Sequence, residues 1–256
     1  MSTDNTADHA TADDAGEGTT NYDLDFFWDP VCPFAWITSR WVNKVVEQRG
    51  MTVDWKFISL RIINKDVDYA THFPPEYESG HTAGLRMLRV AAAARRDHGR
   101  DVLGGLYTAF GTEVFDRDPE ETSRESLGTV AHIATMLESV GLPADLAAHA
   151  DDTAWDAEIE AETDLAFSRT GRDVGTPILT LRPPDGPSFF GPVISRVPTD
   201  EDALRLWDAV TTLASFPSFA EMKRSLRERP ALRAFGVDPG EAGIEEDWRA
   251  GSRRWD

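Results

Sequence analysis

Tyr22–Trp28 (YDLDFFW), then Asp29-Pro30-Val31-Cys32-Pro33, then Phe34–Arg49 (FAWITSRWVNKVVEQR) is the stretch that decides the fold. The first part reads as a buried strand ending in aromatics. In the last part Phe34, Ile37, Trp41, Val45 and Val46 recur at near-helical spacing, and Gly50 is a stop signal. Between them stands the only cysteine of the chain, at a strand-to-helix turn, with Pro33 at the first helical position, where a missing N–H costs nothing. A helix N-terminus carries about half a positive charge and free N–H groups. Both favour thiolate over thiol, so the reading predicts a pKa for Cys32 below that of free cysteine and a nucleophilic sulfur. The alternative is a buried, inert cysteine.

Working outward, Thr52–Leu60 (TVDWKFISL) alternates as a strand does. Helical patterns follow over Thr82–His98, Asp101–Asp116, Ser123–Val140, Pro143–His149 and Thr153–Thr170, with few strand signals from Asn64 to Arg172. Strand character returns at Ile178–Arg182. Pro183-Pro184-Asp185-Gly186-Pro187 is a turn signal, Ser188–Phe190 the returning strand, and Thr199–Ala214 a helix with Thr199 as its N-cap. The order β-α-β, helices, β-β-α predicts an α/β thioredoxin-like fold: a mixed four-stranded sheet with an inserted α-helical subdomain. The domain expectation is a disordered acidic tail over 1–21, a thioredoxin-like domain from 22–62 and 172–228, a helical insertion over 63–171, and a C-terminal extension over 229–256 that either docks as a strap or stays loose.

Composition bounds the function. Among 256 residues, Lys and Arg number 26 against 45 Asp and Glu, a formal charge of −19. So acidic a chain is not expected to take nucleic acid or an anionic membrane as its main partner. No apolar run approaches the about 18 residues that span a bilayer, and no secretory signal is read, which with a lone thiol predicts a cytoplasmic protein. The histidines show no metal spacing and no nucleotide-binding motif is present, so neither metal nor nucleotide is expected.

The candidate site assembles around the thiol. Val174-Gly175-Thr176-Pro177 precedes the returning strand, and in a thioredoxin-like sheet this turn faces the start of the first helix. A cis Pro177 there leaves the backbone of Thr176 free to pair with a bound thiol or peptide; the plain alternative is a proline at a strand start. Trp28, Phe34 and Trp36 are read as pocket wall or core. Ligands of open α/β sheets sit outside the carboxyl ends of parallel strands, which puts Asn64 and Tyr77, just past the second strand, at the pocket mouth. Ala35 occupies the position where a dithiol protein carries its resolving cysteine, so a disulfide at Cys32 needs a second molecule, most simply a small cellular thiol.

The segment Phe27-Trp28-Asp29-Pro30-Val31-Cys32-Pro33-Phe34-Ala35-Trp36-Ile37-Thr38-Ser39-Arg40-Trp41 resembles the active-site segment of the actinobacterial DsbA-like family of mycothiol-dependent nitroreductases and mycoredoxin-like oxidoreductases. Ser59-Leu60, Val174-Gly175-Thr176-Pro177, Phe189-Phe190-Gly191-Pro192-Val193, Leu206-Trp207-Asp208-Ala209 and the run from Ser215-Phe216-Pro217 to Lys223-Arg224 extend the likeness. The resemblance implies mycothiol as co-substrate, Cys32 as nucleophile, Pro177 as the cis-proline, Thr176 as backbone partner, and Pro33 and Phe34 beside the thiol. It implies small-molecule or mixed-disulfide substrates and a monomer or homodimer. Ala35 departs from the family pattern and favours a monothiol cycle. The same fold hosts kappa-type glutathione transferases and chromene-carboxylate isomerases, in which a bound small thiol does the work. A catalytically retired thiol-binding domain is the third reading.

Overall fold

The structure, a computed structural model, describes residues 21–118, 125–223 and 228–238. The acidic tail, with Trp248 and Trp255 of the C-terminal extension, lies outside the described residues. Four strands, β1 (Leu24–Trp28), β2 (Val53–Phe57), β3 (Ile178–Leu181) and β4 (Ser188–Phe190), form one sheet in the order β2-β1-β3-β4. β1 runs parallel to β2 and antiparallel to β3, which pairs antiparallel with β4. This is a thioredoxin-like fold. β1 is buried along its whole length, and its alternation divides the core. Leu24, Phe26 and Trp28 enter the main cluster; Phe27 joins a smaller one with Ile58, Ala166, Phe167 and Ile178.

Helix α1 (Pro33–Arg49) starts on Cys32 as N-cap and stops at Gly50, which takes the left-handed conformation at φ 63°. It packs against α8 (Asp200–Ala214), where the Trp41 indole donates to the Ala203 carbonyl at 2.9 Å. Thr199 caps α8 by accepting from the Asp202 N–H.

Between β2 and β3 the chain forms two short helices, α2 (Leu60–Ile63) and α3 (Tyr69–His72), then the long α4 (Glu76–His98) and α5 (Val102–Gly111). A π-helical turn, Thr112–Asp116, continues α5; α6 (Val130–Ser139) and α7 (Asp156–Thr170) follow, with 3-10 segments between them. These helices do not carry a core of their own. Tyr107 of α5 stacks on Trp28 of the sheet with centroids 4.2 Å apart, and the main cluster runs through both.

Two glycines make this closeness possible. A Cβ on Gly111 meets the Trp36 ring, and one on Gly84 of α4 lies 2.8 Å from Val31 Cγ2 and 3.0 Å from Asp29 Oδ1. The C-terminal segment docks as far as it is described: Ala231 and Leu232 are buried, and the Ala231 N–H donates to the Ser195 carbonyl at 2.7 Å.

Several boundaries differ from the sequence reading. The helix expected over Ser123–Val140 begins at Val130, because Gly128 takes φ 72° and Thr129 then caps the helix through the His132 N–H. The helix expected from Thr82 begins six residues earlier, at Glu76, directly after Pro74-Pro75.

Candidate active site

The site is built where β1 hands over to α1. The Cys32 backbone is extended (φ −87°, ψ 112°), and its Sγ accepts the Ala35 N–H at 3.4 Å, so the thiol itself caps the helix. On its other side Sγ–H donates to the Thr176 carbonyl at 3.6 Å. The Thr176–Pro177 peptide is cis, and the Pro177 carbonyl accepts from Gly191 N–H at 2.9 Å, fixing the turn against the end of β4. The structure therefore brings Cys32, Pro33, Thr176 and Pro177 together from positions 144 residues apart.

Asp29 holds the turn. Its carboxylate is fully buried, and each oxygen accepts one backbone N–H: Oδ1 from Val31 at 2.8 Å, Oδ2 from Leu60 at 2.7 Å. It ties the active-site turn to the start of α2. Burial pushes its pKa up to about 7, with the two N–H groups pulling the other way.

The expected activation of Cys32 is corrected by the structure. The residue is 5% exposed, and burial pushes the thiol up to about 12. The Ala35 N–H opposes this, the Asp29 charge adds to it, and the Phe34 N–H opposes it again. The dipole argument had the right sign, but desolvation is the larger effect. The resting sulfur is a neutral thiol.

Two more expectations need correction. Trp28 is fully buried, stacked on Tyr107 and edge-on to Phe57, and Trp36 is 1% exposed, its indole donating to Asp116 at 3.1 Å. Both are core behind the site, not walls a substrate touches, because α5 supplies a ring that closes over them. Phe34 and Pro33 remain half-buried at the rim. Asn64 caps α2, and its amide donates to the Leu60 carbonyl at 2.8 Å, so one donor is already engaged. Tyr77, 41% exposed on α4, stacks on Phe73 rather than on any residue of the turn.

Residues missed by the sequence reading gather here too. The Asp29-Pro30 dipeptide is a turn signal that could have marked Asp29, since Asp readily accepts the N–H two residues on. Phe190, 41% exposed, lies 3.7 Å from the point a Gly175 Cβ would occupy, and so flanks the cis-proline turn. Among the described residues no group of three His, Cys, Asp or Glu is placed to hold a metal.

A thioredoxin-like sheet with a lone thiol capping its first helix, set against a cis-proline turn, defines a protein of the thiol oxidoreductase fold. More specifically, residues 31–224 match the Rv2466c-like family, named for the mycothiol-dependent nitroreductase Rv2466c, and the chain belongs to that family. The uncharacterized protein Rv2286c of Mycobacterium tuberculosis is 33% identical over 206 residues, 78% of this chain and 81% of its own length. Among solved structures, the cytosolic disulfide reductase DsbM of Pseudomonas aeruginosa aligns with TM-score 0.48 and 15% identity over 75% of this chain and 99% of its own. DsbA of Chlamydia trachomatis aligns with TM-score 0.46 and 10% identity over 83% and 100%.

Proposed function

We propose that the chain is a monothiol oxidoreductase that exchanges small thiols through Cys32, with mycothiol as co-substrate. One observation carries the reading: Sγ sits between the Ala35 N–H and the Thr176 carbonyl, in a chain with no other cysteine. Family membership supports the choice of mycothiol.

The closed thiol is a latent nucleophile. Burial is the largest effect keeping it protonated. A substrate or water reaching Sγ removes that effect and leaves the N–H groups and the helix dipole, which favour the thiolate. The Cys32 thiolate attacks one sulfur of a mixed disulfide, a new S–S bond forms at Cys32, and the other sulfur leaves as a thiolate that takes a proton from water. A mycothiol thiolate then attacks the sulfur attached to Cys32, releasing a disulfide and restoring the Cys32 thiolate. For a nitro or other electrophilic substrate, each two-electron step converts two mycothiols into their disulfide. Pro33, Phe34, Thr176 and Pro177 border the sulfur, while Asn64 and Tyr77 face the co-substrate. The reading goes with a cytoplasmic setting and with a helical insertion over 63–171 that shapes the co-substrate side of a thioredoxin-like domain.

The buried, protonated sulfur favours a second reading, in which a bound small thiol is itself the nucleophile, as in a kappa-type glutathione transferase or chromene-carboxylate isomerase. Cys32→Ser separates the two. In mycothiol-coupled reduction of a mixed disulfide, the monothiol reading expects the variant to lose at least about a hundredfold in rate. Equal rates in variant and wild type refute it and leave the transferase or a retired thiol-binding domain.

A further inference from the structure

We propose that Arg61, Tyr69 and His81 form a docking subsite for the uncharged, hydroxyl-bearing end of the small thiol, with the His81 Nε2–H as the donor that reads it and the Phe73–Tyr77 stack as its platform. The proposal rests on the monothiol reading and names where the rest of the thiol lies.

The Tyr69 hydroxyl and His81 Nδ1 are 2.9 Å apart, and both residues are buried. Arg61 lies over the Tyr69 ring, its guanidinium carbon 4.9 Å from the centroid. A cation beside the phenol makes its O–H the better donor, so the hydroxyl donates to Nδ1 and the imidazole proton sits on Nε2. Burial and Arg61 push His81 down to about 4, which keeps the ring neutral at physiological pH. Nε2 has no hydrogen-bond partner among the described residues, and it is not among their fully buried unsatisfied atoms, so it retains contact with solvent. A neutral donor held in a fixed tautomer, at the edge of the interior, is a recognition group without an internal use.

Its surroundings say what it recognises. The imidazole stands edge-on to Phe73 and Tyr77, with centroids 5.9 and 5.6 Å away. Phe73 and Tyr77 are themselves stacked nearly parallel, 12° apart with centroids at 5.5 Å, and Tyr77 is 41% exposed. A flat aromatic face beside a neutral N–H suits a ring with apolar C–H faces and hydroxyl acceptors at its edge. An anion is less suited, because Glu78 already faces Arg61 at 3.4 Å. A cation is disfavoured by Arg61 itself.

The place adjoins the turn that carries the thiol. His81 and Gly84 are one turn apart on the same face of α4, about 5–6 Å between neighbouring side-chain positions. Gly84 lies against Val31 and Asp29, the turn that presents Cys32. α4 thus links His81 to the turn that presents Cys32, and the proposal sets the far end of a thiol bonded to Cys32 along that face.

Calorimetric titration of reduced mycothiol into Cys32→Ser, with and without His81→Phe, reads the subsite apart from the chemistry. His81→Phe is expected to weaken binding about three- to tenfold, the loss of one neutral hydrogen bond. His81→Gln, which keeps a side-chain N–H, is expected to recover part of it. Tyr77→Ala, at an exposed ring outside the core, is expected to weaken binding and guards against a folding defect in His81→Phe. The intact mass of Cys32 after incubation with oxidised mycothiol reports the monothiol reading separately. His81-dependent binding without an adduct keeps the subsite and overturns that reading. An adduct together with binding indifferent to His81→Phe and Tyr77→Ala overturns the subsite alone, and absence of any mycothiol binding to Cys32→Ser overturns it as well.

Discussion

Replacing Asp29 by Asn tests the physical account of the active-site turn. In the folded chain this carboxyl is pushed from 3.8 up to about 7 by burial. The folded state therefore holds a proton that the unfolded chain releases above about pH 4, and stability falls as pH rises from there through about 7. At 1.36 kcal/mol per unit, integration gives a cost of about 1.5 kcal/mol at pH 5 and about 4 kcal/mol at pH 8. Asn carries no such cost. It offers one acceptor where Asp29 accepts from both Val31 and Leu60, so one buried N–H loses its partner, at about 1–3 kcal/mol independent of pH. The difference between the two proteins is thus expected to shift by about 2–3 kcal/mol between pH 5 and pH 8, in favour of Asn at the higher pH. Urea unfolding followed by tryptophan fluorescence measures it, and every other titration cancels in the comparison. A gap that is the same at both pH values would refute the claim that burial raises the pKa of this carboxyl.

Iodoacetamide labelling of wild type, followed by mass, reads only Cys32, and its rate should still be climbing above pH 9; a midpoint below about 8.5 would contradict a sulfur shut away from water. Asp29→Asn should move that labelling profile to lower pH, since the neighbouring charge adds to the thiol's resistance to ionisation. Gly84→Ala forces a methyl to 2.8 Å from Val31 and should destabilise by about 1–3 kcal/mol in thermal unfolding, while raising the labelling rate at Cys32. Arg169→Met strips the 2.8 Å partner from buried Asp25, leaving Lys56 at 3.9 Å, and should cost about 3–5 kcal/mol by urea titration; a change under 1 kcal/mol means Lys56 suffices.

The sheet and its order were legible because their signals are local. β1 is apolar but for Asp25, β4 was bounded by a run of prolines and glycine, and the hairpin joins neighbours. The thiol's position at a helix start was legible for the same reason. Its protonation was not: that comes from burial in the folded chain, where even the turn's own Val31 and Asp29 are packed by Gly84 from more than fifty residues away, and nothing in Val31-Cys32-Pro33 announces it. Trp28 and Trp36 flank the thiol in sequence, and aromatics so placed serve equally as wall or as core. Tyr107 and Phe115 decide the matter, and they belong to α5 and the π-helical turn after it. The Tyr69–His81 pair is likewise a meeting of two helices whose spacing carries no motif.

The stack of Trp28 on Tyr107 also bears on how the molecule opens. Rings shared between sheet and helices leave no seam along which the helices of the middle section could swing as a slab without exposing the centre of the protein. The short segments α2 and α3 are different: α2 buries none of its residues and α3 only Tyr69. Breathing that admits a reactant is thus confined to the thin margin of the molecule, and a heated sample should still melt in one step.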